Sequence, residues 1–143
     1  MHQEYYALMS IKPRYADMIY AGTKTVEWRK TTPAVRYPTK VFLYESSPVK
    51  LITGHFYLYG RFSIDTRKPG LIPTHKMMLI DRGCITLDEL QDYQGKSGKV
   101  YGIFIGKPVK YETPIKLSEI GMARPPQSWQ YLSEERAAPI HQE

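Results

Sequence analysis

A small mixed α+β domain whose strands form a partly closed barrel is the fold class this chain predicts. Five or six extended runs, several with alternating side-chain character, supply the strands. The helical signals are few and short, lying early and in the middle of the chain. Gly and Pro punctuate the runs, with no internal repeat and no linker long enough to separate two domains.

The first strand is expected over 6–11. Lys12-Pro13 then opens a helix, with Pro13 at its first position, where the missing N–H costs nothing. Tyr15, Met18 and Ile19 give the apolar stripe of one short amphipathic helix over 13–21, and Gly22 stands where a helix ends in a left-handed residue. A strand follows over 25–29, with Val26 and Trp28 on one face and Thr25, Glu27 and Arg29 on the other. Residues 31–38 form a proline-marked link. VFLYE over 41–45 is a strong strand, and 49–62 is a long extended run expected to bulge near Gly54 or Gly60. After a loop over 65–73, helices are expected over 74–81 and from Thr86, whose TLDE places Glu89 for a capping box. QGKSGK over 94–99 is a turn without the glycine spacing of a phosphate-binding loop. VYGIFI over 100–105 is a strand, with 107–111 a candidate extension beyond a proline-marked break. Residues 113–121 read as loop with a short turn, and 123–132 as a loop leading into a helical turn. Residues 133–143 read as a flexible tail, leaving 1–132 as one domain.

With 143 residues and 42% apolar content, the chain has enough material for one real core. Twenty Lys and Arg against fourteen Asp and Glu leave a net charge of +6, which suits a nucleic acid or phosphorylated ligand as well as plain solubility. Cys84 is the only cysteine, so an intramolecular disulfide is excluded and a reducing, cytoplasmic setting is expected. The polar, aromatic start does not read as a secretory leader, and no run approaches a membrane span, so no membrane role is expected. His2, His55, His75 and His141 are not paired at ligand spacing; neither a metal nor a cofactor is expected.

The segment GTKTVEWRK, residues 22–30, gathers three cations, one carboxylate and a tryptophan. One reading is a solvated edge: Lys24 sits at the negative end of a helix dipole, and Glu27 pairs with Arg29 or across strands. The other is the wall of a site. Ser10 and Lys12 share a face at the end of the first strand. If the strand over 25–29 lies near it, Ser10, Lys12, Lys24, Glu27 and Arg29 converge. Arginine then offers a planar fork, lysine a mobile cation, and Glu27 an acceptor for an exocyclic amine or a partner that holds Lys24.

Residues 7–30, ALMSIKPRYADMIYAGTKTVEWRK, resemble the opening of an ASCH domain, a small β-barrel module similar to the PUA and EVE/YTH folds. Ser10-Ile11-Lys12-Pro13, a short helix, and then Gly22-x-Lys24-x-x-Glu27-x-Arg29 carry the likeness. YESSP at 44–48, ITG at 52–54 and PPQSW at 125–129 extend it. The resemblance implies a PUA-like barrel with helices packed on it, an RNA or nucleoside/nucleotide partner, and a cleft built from Ser10, Lys12, Lys24, Glu27 and Arg29. Some small members resemble an N4-acylcytidine amidohydrolase that uses a lysine after the helix, a threonine three residues later and a glutamate before a second helix. Lys24 fits the first role. Glu27 stands in the threonine's place, and the glutamate's place falls near Gly83, with Thr25 and Asp81 displaced from the two roles. That activity is therefore not expected in the same form.

Trp28 alternates away from Glu27 and Arg29 and reads as core. Trp129, after two prolines, either plugs the barrel or stacks on a base at the cleft mouth; Tyr44 either lines the cleft with Ser46 or is a buried strand tyrosine. Cys84 reads as a small buried residue. Arg14, Arg61, Arg67, Lys68 and Lys76 could widen a basic rim. Three function classes follow: a module that binds RNA or a modified nucleotide, a nucleic-acid hydrolase or ribonuclease using Lys24 and Glu27, and a protein-binding sheet edge.

Overall fold

The computed structural model describes residues 5–34 and 37–141, the Tyr5 side chain excepted; Val35, Arg36 and His2 lie outside the described residues. The chain runs through β1 (Tyr5–Ile11), α1 (Pro13–Tyr20), β2 (Val26–Arg29), β3 (Thr39–Glu45), β4 (Leu51–Ile64), α2 (Thr74–Met77), α3 (Leu87–Gln94), β5 (Val100–Ile115), β6 (Trp129–Ser133) and α4 (Glu134–Ala137). Single 3-10 turns cover Pro69–Leu71, Asp81–Gly83, Leu117–Ile120 and Ala138–Ile140. One six-stranded sheet has the order β2-β5-β4-β3-β1-β6. β1 and β3 are parallel, and every other pairing is antiparallel.

Local chemistry accounts for most boundaries. Pro13 opens α1, and Gly22, at φ +82°, follows its end. Thr86 and Glu89 close a reciprocal capping box on α3. β4 and β5 slip register at Ile52/Gly54, His55/Tyr57 and Leu58/Gly60, and these bulges help the sheet curve. A Cβ at Gly54 would run into the Val109 carbonyl and the Tyr20 ring, so only glycine lets β4 pass there.

Both faces of the central strands are covered. In β1, Ala7, Met9 and Ile11 face inward with Leu43, Phe56, Ile103 and the Ala16 and Ile19 of α1. Leu8 points the other way, into a cluster with Phe42, Ile52, Ile115 and Leu132. A third cluster gathers Val26, Trp28, Ile64, Ile80, Leu90 and Val100 where α3 and the turns before it cover the sheet. The period-2 alternation of a strand thus feeds two separate cores.

Four expectations are corrected. The sheet is not a closed barrel: among the described residues β2 pairs only with β5, and β6 only with β1. The two ends of the sheet meet through side chains instead. Arg29 donates to the Ser10 and Ser128 carbonyls, Trp129 Nε1 donates to Thr31 Oγ1 at 3.1 Å, and the Tyr131 hydroxyl accepts from the Ala34 N–H at 2.8 Å. A backbone ladder needs strands about 4.8 Å apart, which leaves no room for a guanidinium between them. β5 does not break at Pro108 but runs to Ile115, with Lys107 at φ +48° beside the irregular register. Residues 129–133 form a strand rather than a helical turn, because WQYLS alternates as a strand does once the prolines are passed. Where a frayed tail was expected, Ser133 caps α4, and Ala137 and Ile140 are fully buried against Leu8 and Phe42.

Candidate functional site

Between the free edge of β2 and the ends of β1 and β6 lies a cavity of about 550 Å³. Its floor is a buried charge cluster. Lys24, Glu27 and Arg29 are only 3%, 6% and 9% exposed. Lys24 Nζ donates to the Gly83 carbonyl at 2.5 Å and lies 3.1 Å from Glu27 Oε1. Arg29 Nε donates to Glu27 Oε2 at 2.8 Å, and Nη2 lies 2.7 Å from that oxygen. Nη2 also donates to the Ser10 carbonyl at 2.7 Å, and Nη1 to the Ser128 carbonyl and hydroxyl at 3.3 and 3.2 Å.

The strand geometry makes this cluster. Glu27 and Arg29 share one face of β2, and the stop at Gly22 turns the chain so that Lys24 arrives beside them. Burial by itself would raise the Glu27 pKa; the Arg29 and Lys24 charges and their hydrogen bonds outweigh it and hold the carboxyl below its usual range. With both oxygens occupied by cations, Glu27 is a poor proton acceptor and a strong anchor. Two cations against one carboxylate leave the floor one positive charge in excess.

The remaining walls mix aromatic and polar groups. Tyr15 of α1 lies under Lys24 Nζ, 5.1 Å from the ring centroid, and Arg14 sits over the same ring at 4.6 Å. Tyr93 of α3 takes the Lys30 N–H on its hydroxyl at 3.2 Å, with Lys30 Nζ 5.3 Å from its ring; burial pushes its phenol pKa up. Exposed Lys12, Glu89 and Gln127 and half-buried Ser46 and Ser128 complete the rim.

Of the residues singled out from the sequence, Ser10, Lys12, Lys24, Glu27, Arg29 and Ser46 are brought together here. Ser10 spends its hydroxyl on the Pro126 carbonyl at 2.6 Å and so ties the 126–128 segment to β1. Tyr44 is buried among Leu8, Phe42 and Ile52, away from the cavity. Trp129 is half-buried against the inner core and edge-on to Tyr131, outside the cavity lining. Trp28 is core, as expected, packed edge-on to Phe62. Gly83 faces the cavity, and its carbonyl holds Lys24, at the place where the resemblance would call for a glutamate. The Arg67 guanidinium is held by Asp65 through two hydrogen bonds, Arg61 lies over the Tyr101 ring, and Lys76 donates to the Ser63 carbonyl; none lines the cavity. Cys84 is half-buried, with its thiol near the Thr23 carbonyl. Tyr15, Glu89, Tyr93, Gln127 and Ser128 were missed. Tyr15 was read as part of a core stripe, and Tyr93 and Glu89 lie in a helix whose sequence signals only its cap. No group of three His, Cys, Asp or Glu side chains that could hold a metal occurs among the described residues.

The ASCH domain family model matches residues 9–105, which hold the end of β1, all of α1 and β2, and the Lys24–Glu27–Arg29 cluster. The chain belongs to the ASCH domain family. This ASCH domain is 27% identical over 126 residues to a large ribosomal subunit protein uL22 of Ureaplasma parvum, a match covering 87% of this chain and 38% of the relative. It is 36% identical over 52 residues to an ASCH domain-containing ribonuclease of Zymomonas mobilis, covering 36% of this chain and 35% of that one. The matches thus span little more than a third of the curated relatives. Among solved structures, the ASCH protein from Zymomonas mobilis is similar with a TM-score of 0.79 and 25% identity, over 94% of this chain and 92% of that one. No helix among the described residues of this ASCH domain is long and apolar enough to cross a membrane.

Proposed function

We propose that this ASCH domain binds RNA, taking one nucleotide into the cavity beside β2. The observation that carries the reading is the floor: three buried charges with one positive charge in excess, beneath a space of about 550 Å³ flanked by two tyrosines. Single-nucleotide and cofactor sites fall in this size range. An anion offsets the excess charge, and Lys12 at the rim is free to meet a phosphate, while Tyr15 and Tyr93 offer rings for a base. A relative named as a ribonuclease and another named as a ribosomal protein support an RNA setting for the family.

The test is anisotropy of a labelled single-stranded RNA at low and high salt. Affinity should fall with salt, and Lys12→Ala should flatten the dependence by about 0.7 in log–log slope, one phosphate contact on a single strand. Tyr93→Ala should weaken binding by roughly 1–3 kcal/mol if a base stacks there. A folded protein that binds no RNA at low salt would end this reading.

The ribonuclease name of the Zymomonas mobilis relative favours a second reading, hydrolysis of the bound RNA. The geometry does not support Glu27 as its general base, because both carboxylate oxygens are held by cations. Incubating oligonucleotides with wild type and with Lys24→Ala, and weighing the products, separates the readings: cleavage by wild type alone makes the domain an enzyme.

A further inference from the structure

The free edge of β2 borders the cavity beside the charged floor. The Ile105 N–H donates to the Thr25 carbonyl at 3.0 Å, which makes Thr25 and Ile105 a hydrogen-bonded pair of the β2–β5 ladder. In antiparallel pairing such pairs recur at every second residue, so Glu27 with Ile103 and Arg29 with Tyr101 also bond inward. The main-chain groups of the residues between them point the other way. Lys30 shows this directly: its N–H leaves the sheet and reaches the Tyr93 hydroxyl at 3.2 Å. Trp28, between Glu27 and Arg29, therefore turns its own N–H and C=O away from β5. Among the described residues no strand lies on that side and no loop bonds to them, and Trp28 lines the cavity.

Resting on the RNA reading above, we propose that the main chain of Trp28 reads the Watson–Crick edge of an unpaired base, as a neighbouring strand would read it. An N–H and a C=O of one residue, side by side, match the adjacent acceptor and donor on that edge. For uracil, N3–H donates to the Trp28 carbonyl and an exocyclic oxygen accepts from the Trp28 N–H; guanine fits through N1–H and O6. Three features of the cavity fit a base in this position. The walls on either side carry the Tyr15 and Tyr93 rings. Lys24, two residues before β2, and Arg29, at its end, both hold Glu27, so a phosphate attached to the base stays within reach of the positive floor. The edge groups are shielded from bulk water, Trp28 being 5% exposed, where an unmet hydrogen bond is costly and a met one gains most. The occupant must be single-stranded or flipped out, because in a duplex this edge is already paired.

The experiment uses the isotopically labelled full chain with uridine and guanosine 5′-monophosphates and their N3-methyl and N1-methyl counterparts. Methylation removes the one base donor the Trp28 carbonyl needs and leaves the phosphate and ring faces in place. The expected result is that the parent nucleotides shift the Trp28 amide resonance and slow its hydrogen exchange, and that the methylated ones bind about tenfold or more weakly, the loss of one well-shielded hydrogen bond. Equal binding of parent and methylated nucleotides, with shifts at Tyr93 and Lys12 but none at the Trp28 amide, overturns the proposal and leaves nucleotide binding standing. Absence of binding by both nucleotides and RNA overturns the proposal together with the functional reading. Binding of an extended peptide at the Trp28 amide with no response to nucleotides also overturns it, because the edge then serves a protein partner.

Discussion

Lys24, Glu27 and Arg29 concentrate the electrostatic cost of this molecule in three side chains. Each is nearly fully buried, and each meets an opposite charge there, Glu27 being held between Lys24 and Arg29. From the sequence, Lys24 reads as a surface lysine whose replacement costs within about 0.5 kcal/mol. Its burial changes that expectation. Lys24→Ala should cost about 3 kcal/mol of stability, since it strands half of the Glu27 carboxylate, and urea unfolding should show it. A second residue-scale prediction concerns His55, buried beneath Phe42 and bonded through Nδ1 to the Tyr111 hydroxyl at 2.6 Å. Burial, then the nearby Lys40 and His141, lower its pKa from the ordinary 6.5 to about 4. The unfolded chain takes up a proton as pH falls below about 6.5, and the folded chain does not until about 4. Stability should level off well above pH 6.5 and fall as the pH drops from about 6.5 to about 4, by at most about 1.4 kcal/mol per unit. His55→Gln should remove that slope in denaturant titrations run at each pH.

At the scale of elements, β2 decides the site. It is short, pairs on one side only, and presents three kinds of chemistry at once: Val26 and Trp28 to the outer core, Glu27 and Arg29 to the floor, and its unpaired edge to the cavity. Its neighbours are set by tight backbone passages. β4 threads between Val109 and Tyr20 only because residue 54 is glycine, so Gly54→Ala should destabilise the fold by about 1–3 kcal/mol, the range for an overpacked core, as a lowered thermal midpoint. Much at this scale was legible from the chain. The Pro13 start, the Gly22 stop and the Thr86–Glu89 box are written in residue types whose preferences are local. β6 was not legible, because the signal of WQYLS is brief and lies just after two prolines.

Across the whole molecule, the sheet brings its two ends together without joining them. Arg29, Thr31–Trp129 and Ala34–Tyr131 bridge the gap, and the cavity occupies the part of the gap that side chains leave open. Trp129→Phe keeps an aromatic ring but loses the indole N–H and its hydrogen bond to Thr31. It should cost about 1 kcal/mol. Hydrogen exchange should quicken in 26–31 and 129–133 while β3 and β4 stay protected, because the seam opens as a unit separate from the central strands.

The sequence by itself determined the mixed α+β class though not the open sheet, most of the element order, and which residue types would gather: Ser10, Lys12, Lys24, Glu27, Arg29 and Ser46 all reach one cavity. Those outcomes follow from alternation along strands and from the local chemistry of caps and stops, which act over a few residues. Tertiary structure alone decided that the sheet stays open, that the charged stretch is buried rather than solvated, and that Tyr44 and Trp129 serve cores while Tyr15 and Tyr93 face the cavity. Each of these depends on partners far away in the chain. Gly83 supplies the carbonyl for Lys24 from 59 residues on, and Ser128 meets Arg29 across 99. No local pattern encodes such meetings, because what places two side chains together is the curvature and strand order of the whole sheet.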